Sequence, residues 1–561
     1  MPDKIVVLKF GSSVLRSHAD LPSVVHEIYR WYRDGARVIA VVSAIGDATD
    51  QLIRQSRELC SQPEPWATAE LLATGERTSA ALLGIALDRA GIPARVLNPR
   101  EIGLEVRGQP LDGEPFAINV KHVRELLGEL PILVVPGFFG TDASGRTQLL
   151  GRGGSDLTAV FLAVSLGAER CRLLKDIDGV YESDPAVENS QPRRFAALHY
   201  PDALRVAGKL IQPKAIAFLQ THQACADVAA LALPYQSVVH GGDTELAQGL
   251  ASQQCDIVIL GLGTVGFGVY QRLLAFPDQF RVLGALVRDR RKYEEAGVPT
   301  KLLHTTDETL RDLRPTLVVD ALPGFEPSGS LLKSYLDRGI DVVSANKAII
   351  ANRGALLAGA AEASRAQLRY SAAVGGSTPM LERANPAGPE GEIESIAAVL
   401  NGTCNLVLDR CAKGDAVEDA VAEAQRRGFA EADPGDDLSG RDAARKLQIL
   451  ARHAFRTEVN VVASQSLDES VAKRALVAAR TGMKLRQIAR IARRGSDILA
   501  TVEFEPVESL SLFGGLAGEW NGMEVKFRSG KAVAVRGRGA GRWPTTEAVI
   551  ADVLDVVRSR A

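Results

Sequence analysis

An apolar run that leads directly into closely spaced glycines begins at Cys255. The segment CDIVILGLGTVGFGVYQRLL, residues 255–274, places Gly261, Gly263 and Gly266 between that run and a helical pattern. This order is typical of a strand, a tight glycine turn and a helix at the start of a parallel sheet, where the helix N-terminus faces a pyrophosphate. The segment therefore predicts a doubly wound, dinucleotide-binding α/β fold.

Short apolar runs alternate with helical patterns along both halves of the chain, which predicts α/β layers throughout. The expected strands are Ile5–Leu8, Val38–Val42, Ile132–Val135, Cys171–Leu174, Ile257–Leu260, Val282–Val287, Leu317–Val319 and Asp341–Val343. A polar, turn-rich stretch at 241–254 separates the two halves. We therefore place a domain boundary near residue 250.

Charge and cysteine content argue against several classes of protein and of site. The 561 residues carry 66 Lys and Arg against 68 Asp and Glu, which argues against a protein that coats nucleic acid or binds a membrane surface through basic residues. The six cysteines have no CxxC spacing, so we expect no disulfide framework and no Cys/His metal site. The longest apolar run, 257–269, is too short to span a bilayer. We expect a cytoplasmic protein with small-molecule partners, and with neither nucleic acid nor membrane as a partner.

The opening segment is suited to binding an anion. KIVVLKFGSSV, residues 4–14, predicts a strand that ends near Lys9, followed by a turn at Gly11 and Ser12. Successive backbone N–H groups in such a turn bind phosphate, and the lysine adds a positive charge. An ordinary strand and turn explains the pattern equally well.

A second glycine-rich segment, LLGRGGSDLTA at 149–159, places Arg152 between glycines at the expected start of a helix. We expect Ser155 or Asp156 to cap that helix through its side chain. A capped helix alone does not explain the arginine, whose planar guanidinium is suited to a carboxylate.

A third segment, KDIDGVYESDP at 175–185, brings Lys175 close to Asp176 and Asp178. A lysine with paired carboxylates suits the phosphates of ATP, although turn chemistry alone accounts for the DxDG sequence. Glu76 lies among small and apolar residues of a helical run, where an exposed glutamate is the simpler interpretation.

In order and spacing, KFGSS, VVSAIGDATD, TGERTSA, GRGGSD and KDIDGVYESDP resemble the aspartokinases of the amino acid kinase family over about residues 4–245. The resemblance implies transfer of the ATP γ-phosphoryl group to the side-chain carboxylate of aspartate, with Mg²⁺ supplied from solution. It implies that Lys9 stabilises the transferred group, that Arg152 binds a substrate carboxylate and that Glu76 binds the substrate ammonium. Further substrate contacts are implied for Ser43, Thr49 and Ser155. The implied ATP-binding residues are Lys9, Gly11, Ser12, Lys175, Asp176, Asp178, Tyr181 and Lys209.

Two features depart from that family. The opening loop KFGSSV is shorter than the usual one, and too few residues precede the next strand to hold the family's paired ACT regulatory domains. We therefore expect no feedback by lysine or threonine through such domains. An alternative is a degenerate first half that only binds a ligand or forms oligomers, and another is an acceptor amino acid related to aspartate.

The strand after the glycine turn ends in basic residues. RVLGALVRD ends near Arg288, and Arg290, Arg291 and Lys292 follow. Basic residues here favour the 2′-phosphate of NADP, whereas the adjacent Asp289 keeps NAD as an alternative cofactor. A solvated charge run also explains the pattern.

Two lysines of the second half are candidates for chemistry. Lys347 follows an expected strand in DVVSANKAII, where ligands collect in open α/β sheets. Asp442 and Lys446 are four residues apart on an expected helix and so share one face. A lysine beside a carboxylate can donate a proton to an alkoxide, although a surface ion pair has the same spacing.

With NGTCN, YSAAVGGSTPM and GRGAGRWPTTEAVIADVL, these segments resemble homoserine dehydrogenase over about residues 255–561. The resemblance implies reversible hydride transfer between NAD(P)H and the aldehyde of aspartate 4-semialdehyde, which gives homoserine. It implies that Lys446 is the proton donor with Asp442 as its partner, and that Glu431 binds the substrate ammonium. The implied cofactor-binding residues are Gly261, Gly263, Thr264, Val265, Gly266, Arg288, Lys347 and Gly541.

The family's sodium-binding loop is altered in this sequence. Ser371 stands where the family usually has glutamate, while the backbone carbonyls of Val374, Gly376 and Thr378 remain candidate Na⁺ ligands.

The two resemblances define the expected architecture. We predict a three-layer α/β domain of the amino acid kinase type at 1–248, and a Rossmann domain at 254–385 that is completed by about 520–561. An α+β catalytic and dimerisation domain is expected at 386–519. We expect a homodimer or a larger homo-oligomer, and either two activities or homoserine dehydrogenase activity alone.

Overall fold

A computed structural model describes residues 4–185, 187, 192–208, 210–233, 235–247, 254–427, 430, 433–495 and 497–560, without the side chains of 311 and 462–464. The chain divides into two compact units, and the first comprises residues 1–89 and 93–251. The second comprises residues 90–92 and 252–561.

The first unit is an α/β fold with a large, mainly parallel sheet. Its strands are β1 (Ile5–Phe10), β2 (Arg37–Val42), β3 (Arg95–Val96), β4 (Glu105–Gln109), β5 (Asp112–Ala117), β6 (Ile132–Pro136), β7 (Phe139–Thr141), β8 (Thr147–Leu149), β9 (Arg170–Lys175), β10 (Phe195–His199), β11 (Ala226–Ala230), β12 (Gln236–His240) and β13 (Glu245–Leu246). Its helices are α1 (Leu21–Arg33), α2 (Ala48–Leu59), α3 (Pro65–Arg89), α4 (Val120–Glu129), α5 (Gly154–Leu166), α6 (Tyr200–Ala207) and α7 (Pro213–Thr221). A 3₁₀ turn spans His18–Asp20.

Nine strands form the main sheet in the order β13-β10-β12-β11-β9-β1-β2-β6-β3, and β5-β4-β7-β8 form a smaller sheet. The central strand β1 is parallel to both of its neighbours, β2 and β9. It is buried along its whole length and is contacted by the helices α1 and α5, and such burial is usual for parallel strands. The carboxyl ends of β1, β2 and β9 therefore meet at one edge, where Lys9 and Lys175 lie.

The second unit contains a parallel sheet and an antiparallel sheet. Its strands are β14 (Cys255–Leu260), β15 (Phe280–Leu286), β16 (Leu303–His304), β17 (Leu317–Asp320), β18 (Asp341–Ser344), β19 (Leu368–Arg369), β20 (Ile393–Val399), β21 (Val461–Ser464), β22 (Met483–Arg494), β23 (Asp497–Glu508), β24 (Trp520–Phe527) and β25 (Ala532–Arg538). Its helices are α8 (Thr264–Leu273), α9 (Arg290–Glu295), α10 (Glu308–Arg311), α11 (Ser328–Asp337), α12 (Lys347–Ser364), α13 (Met380–Arg383), α14 (Gly402–Cys411), α15 (Val417–Arg426), α16 (Gly435–Leu438), α17 (Arg441–Phe455), α18 (Glu469–Arg480) and α19 (Arg542–Arg560). Two 3₁₀ turns span Thr300–Leu302 and Ser371–Ala373.

The parallel sheet has the order β16-β15-β14-β17-β18-β19, and the other has the order β21-β23-β22-β20-β24-β25. All eight strands expected from the apolar runs are present, so the prediction of α/β layers is confirmed. None of the helices in the described part of the chain is long and apolar enough to cross a membrane.

The last helix, α19, packs on α8, the helix that follows the glycine turn. Arg272 of α8 donates from Nε to Glu547 Oε1 of α19 at 3.1 Å, and both side chains are buried. A Cβ atom placed on Gly268 would lie 2.5 Å from Thr546 Oγ1, so the two helices approach closely. The strands β24 and β25, by contrast, belong to the antiparallel sheet.

Candidate active sites

A buried aspartate binds two lysines at the edge of the first unit's sheet. Asp156 accepts from Lys9 Nζ at 2.8 Å and from Lys175 Nζ at 3.1 Å. Burial and the adjacent Lys9 ammonium lower the pKa of Lys175 to about 8, against the opposing effect of Asp156. Burial alone would raise the pKa of Asp156, but the two ammonium groups hold it below its usual range. Two buried cations facing one carboxylate leave an excess of positive charge, which suits an anionic ligand.

The expectation that Ser155 or Asp156 caps α5 is wrong. The N-cap residue is Gly153, in the left-handed conformation at φ 77°, and no side chain caps the helix. Asp156 lies in the first turn and is turned instead towards the two lysines. Sequence reasoning missed its role because its partners are 147 and 19 residues away along the chain.

Glu76 of α3 is a buried carboxylate near this lysine pair. Its side chain is only 3% exposed, and Oε1 accepts from the backbone N–H of Ala44 at 3.2 Å. Burial raises the pKa of Glu76 to about 7, against the opposing effect of the Lys9 charge. The interpretation as an exposed surface glutamate is therefore wrong. Oε2 has no hydrogen-bond partner among the described residues, which leaves a buried acceptor suited to an ammonium group.

Arg152 lies at the exposed rim of this region rather than beside the buried lysines. Its side chain is 91% exposed, and Nη2 donates to Asp50 Oδ1 at 3.3 Å. Asp50 is next to Thr49 in the first turn of α2. Ser43 follows β2 and is half-buried, while Ser155 is buried beside Gly137.

The residues expected at the ATP phosphates are only partly brought together. Gly11 lies against Lys9, since a Cβ atom on it would be 2.7 Å from Lys9 Nζ. Tyr181 donates to Asp178 at 2.7 Å, and burial together with this bond raises the pKa of Tyr181 to about 12. Ser12 and Asp176 are exposed, and Lys209 lies outside the described residues.

The glycine turn of the second unit has the geometry that a bound dinucleotide requires. Gly261 has φ 92°, and a Cβ atom on Gly266 would lie 1.9 Å from Gly261 O. No atom lies within 4 Å of a Cβ position on Gly263, at the N-cap of α8. The first and third glycines are therefore needed for the turn itself, while the second leaves room for a ligand against the helix N-terminus. Thr264 and Val265 begin that helix.

The basic residues after β15 are on the surface. Arg288 is exposed at the strand end, while Asp289 caps α9 by accepting from Arg291 N at 3.0 Å. Because the Asp289 side chain is engaged as a helix cap, its place directly after the strand does not by itself make it a ligand for a ribose hydroxyl.

A second aspartate with two lysines lies in the second unit. Asp442 Oδ2 accepts from Lys446 Nζ at 2.7 Å, and Oδ1 accepts from Lys347 Nζ, at the start of α12. Lys446 also donates to the carbonyl oxygen of Leu400 at 2.8 Å and is 8% exposed. Burial would raise the pKa of Asp442, but the two lysines hold it well below its usual range. Burial opposes the charge on Lys347, yet the facing Asp442 raises its pKa overall.

Asn401 fixes this arrangement and was not among the expected site residues. Its side chain caps α14 by accepting from Cys404 N at 2.9 Å, and its Nδ2 donates to Asp442 Oδ2 at 3.0 Å and to Asp437 Oδ1 at 2.7 Å. Thr403 donates to the other oxygen of Asp437 at 3.0 Å. The NGTCN segment is the signal that marked this turn, but the sequence did not indicate that it contacts Asp442.

The remaining expected positions are Glu431, Gly541 and the candidate sodium loop. Glu431 lies outside the described residues. Gly541, at φ 111°, directly precedes α19. In the candidate sodium loop, Thr378 O accepts from the backbone N–H of Met380 at 2.7 Å, and the hydroxyl of Ser371 contacts Glu382 and Asp552 at 2.6 and 2.9 Å.

Family comparisons agree with both units. Residues 4–228 match the amino acid kinase family, residues 261–371 match the NAD-binding domain of homoserine dehydrogenase, and residues 379–554 match homoserine dehydrogenase. An aspartokinase of Thermus thermophilus is 28% identical over 58% of this chain and 74% of that protein. A homoserine dehydrogenase of Corynebacterium glutamicum is 31% identical over 54% of this chain and 72% of its own length.

A solved structure gives the same result for the second unit. The crystal structure of a homoserine dehydrogenase from Thiobacillus denitrificans is similar with a TM-score of 0.52 and 30% identity, over 55% of this chain and 74% of that one. Together the two units define a kinase-type domain joined to a nicotinamide-dinucleotide-dependent dehydrogenase. The chain belongs to the homoserine dehydrogenase family and carries an amino acid kinase domain fused to its NAD-binding and catalytic domains.

Proposed function

We propose that the first unit phosphorylates the side-chain carboxylate of aspartate with ATP, and that the second reduces aspartate 4-semialdehyde to homoserine with NADPH. The observation that supports this most directly is that each unit has a buried aspartate bound by two lysines beside the end of a parallel strand. The acyl phosphate must be reduced by another enzyme before the second unit can act on it. The two sites therefore catalyse separated steps of one route.

In the kinase reaction, Lys9 and Lys175 would hold the phosphates of ATP and stabilise the charge on the transferred phosphoryl group. Asp156 would keep the two ammonium groups in place through its two oxygens. Glu76 would accept a hydrogen bond from the substrate ammonium at Oε2. Arg152 would release Asp50 and bind a carboxylate of the substrate aspartate in its place. Mg²⁺ would arrive with ATP as part of the substrate.

In the dehydrogenase reaction, the bound nicotinamide dinucleotide supplies the hydride. Lys446 would donate a proton to the alkoxide oxygen as it forms. Asp442 orients Lys446 by accepting a hydrogen bond from it, and the carbonyl of Leu400 fixes the direction of its Nζ. Lys347 would bind substrate and cofactor at the carboxyl end of β18, and the open space at Gly263 would accept the pyrophosphate.

The assay that tests the kinase half uses the purified full chain. We expect ADP release from ATP that depends on aspartate, and much less with glutamate. A chain that reduces the semialdehyde but releases no ADP with aspartate would support the alternative of a dehydrogenase with a degenerate first unit. Faster turnover with glutamate than with aspartate would instead identify glutamate as the phosphoryl acceptor.

Removal of Arg152 should mainly affect aspartate binding. Because this exposed arginine would contact only one substrate carboxylate, we expect Arg152→Ala to raise the KM for aspartate about tenfold or more, with a smaller change in the KM for ATP. Arg205→Ala is a matched control, since Arg205 forms an exposed ion pair with Asp202 elsewhere in the unit. Equal effects of the two variants would argue against a substrate contact.

The pH profile of phosphoryl transfer should be bell-shaped. Glu76 becomes ionised as pH rises through about 7, so its affinity for the substrate ammonium increases. Lys175 loses its charge as pH rises through about 8, so stabilisation of phosphate decreases. We expect kcat/KM for aspartate to rise towards pH 7 and fall above pH 8. Glu76→Gln should lack the rising limb, and its persistence in that variant would contradict the assignment.

Cofactor preference tests the role of Arg288. We expect NADPH to be preferred over NADH, and Arg288→Ser to reduce that preference about tenfold by weakening NADPH binding alone. Arg338→Ser, at the exposed end of α11, is the control. A preference of the unmodified chain for NADH would contradict this role.

A further inference from the structure

A buried polar cluster lies at the carboxyl ends of β17 and β18. We call it the Asp320 cluster, and it consists of Asp320, Ser328, Ser344 and Asn346. All four side chains are buried. None of the four has a role in the two reactions proposed above, although Lys347 directly follows Asn346.

Both hydroxyls of the cluster donate to Asp320 and accept from Asn346. Ser344 Oγ donates to Asp320 Oδ2 at 2.9 Å and accepts from the backbone N–H of Asn346 at 3.1 Å. Ser328 Oγ donates to Asp320 Oδ1 at 3.3 Å and lies 3.4 Å from Asn346 Nδ2, which donates to it. Each hydroxyl must give its single proton to Asp320, because Asn346 presents it with an N–H donor. Only a carboxylate that accepts on both oxygens satisfies this pattern.

The ionisation of Asp320 is consistent with that role. Burial raises its pKa to about 6, against the opposing effect of the bonds from Ser344, Leu322 and Ser328. At pH 7.5 or above the group is therefore ionised and acts as an acceptor only.

One end of the cluster fixes the helix that carries Lys347. Asn346 Oδ1 caps α12 by accepting from Ile349 N at 3.3 Å, and its Nδ2 also donates to Gly324 O at 2.8 Å. Lys347 is the first residue of α12. The hydrogen bonds of Asn346 therefore fix the backbone at the start of α12, where Lys347 is attached.

The other end of the cluster reaches the glycine turn. Asp320 Oδ1 accepts from Leu322 N at 3.2 Å. A Cβ atom on Gly261 would lie 3.0 Å from Leu322 Cδ2, and one on Gly266 would lie 3.3 Å from Ala321 Cβ. The segment that Asp320 holds therefore packs directly on the turn proposed for the cofactor pyrophosphate.

We infer that Asp320 is a positioning residue of the dehydrogenase. Its one buried carboxylate holds the glycine turn and Lys347 in fixed positions relative to each other. The inference rests on the proposed function of those two elements. Asparagine at this position would keep the shape but present one N–H donor, so either Ser344 or Ser328 would face donors on both sides and lose a bond.

Asp341 provides a matched control. It is also fully buried and lies at the opposite end of the neighbouring strand β18, where it accepts from Gln367 N at 2.7 Å and pairs with Arg560 at 2.7 Å. A purely structural role predicts similar consequences for Asp320→Asn and Asp341→Asn.

The experiment measures NADPH affinity of the full chain by fluorescence titration without substrate, together with reductase kinetics, ADP release and thermal unfolding. We expect Asp320→Asn to weaken NADPH binding about tenfold and to lower kcat, with ADP release unchanged. Ser344→Ala, which removes one hydroxyl, should give a smaller loss of the same kind. Asp341→Asn should lower the unfolding temperature without changing the NADPH affinity.

Different outcomes test the positioning role of Asp320 and the proposed dehydrogenase function. Normal NADPH affinity and kcat in Asp320→Asn, or equal losses in Asp320→Asn and Asp341→Asn, would overturn the positioning role. If Asp320→Asn does not fold, normal affinity in Ser344→Ala would overturn it. Absence of semialdehyde reduction by the unmodified chain would instead contradict the proposed function itself.

Discussion

Lys446→Met should lower the reduction of aspartate 4-semialdehyde by about 10³-fold, because methionine preserves the length of the side chain but has no proton to donate. Lys446 is buried, bonded to Asp442 and directed by the carbonyl of Leu400. The alkoxide would then have to take its proton from water. The loss should appear in kcat, with NADPH affinity little changed.

The same protein contains an internal control for this result. ADP release with aspartate should be unchanged in Lys446→Met, since the kinase site belongs to the other unit. Lys473→Met, on the exposed face of α18, should affect neither activity. Retention of fast reduction, or equal loss of both activities, would argue against Lys446 as the proton donor.

Lys9→Met should lower phosphoryl transfer by about 10²- to 10³-fold, the usual effect of removing one fixed donor from a developing oxyanion. Asp156 would still bind Lys175, but the positive charge at the end of β1 would be lost. Semialdehyde reduction should continue at the normal rate.

The control for this variant is Lys4→Met. Lys4 is a half-exposed lysine just before the same strand, where it pairs with Glu169 at 2.7 Å. We expect this change to leave ADP release unaffected. An unimpaired Lys9→Met enzyme would show that the phosphates bind elsewhere.

Local spacing predicted those parts of the sites that are close in sequence. The glycine turn at Gly261 and Gly266 and the pair Asp442 and Lys446 each lie within one element or one βα unit, so a helix or turn period is enough to bring them together. The same holds for Lys347 at the end of β18.

Contacts between distant segments could not be predicted in this way. Asp156 meets Lys9 only because α5 packs on β1, and Asn401 meets Asp442 only because the start of α14 lies against the start of α17. The pattern around Arg152 predicts a substrate carboxylate as its partner, whereas the contact present in the structure is with Asp50 of α2, which the sequence did not indicate. Such pairings depend on strand order and helix packing, which one sequence does not encode locally.

The packing of α19 on α8 has a consequence for synthesis of the chain. The first unit is almost continuous in sequence and can fold as it leaves the ribosome, as amino-terminal domains generally do. The helix after the glycine turn, by contrast, waits for residues 542–560, because the buried charge of Arg272 has its partner in Glu547. During translation of the intervening 270 or so residues, this nascent helix is incompletely covered and is a natural target for chaperones.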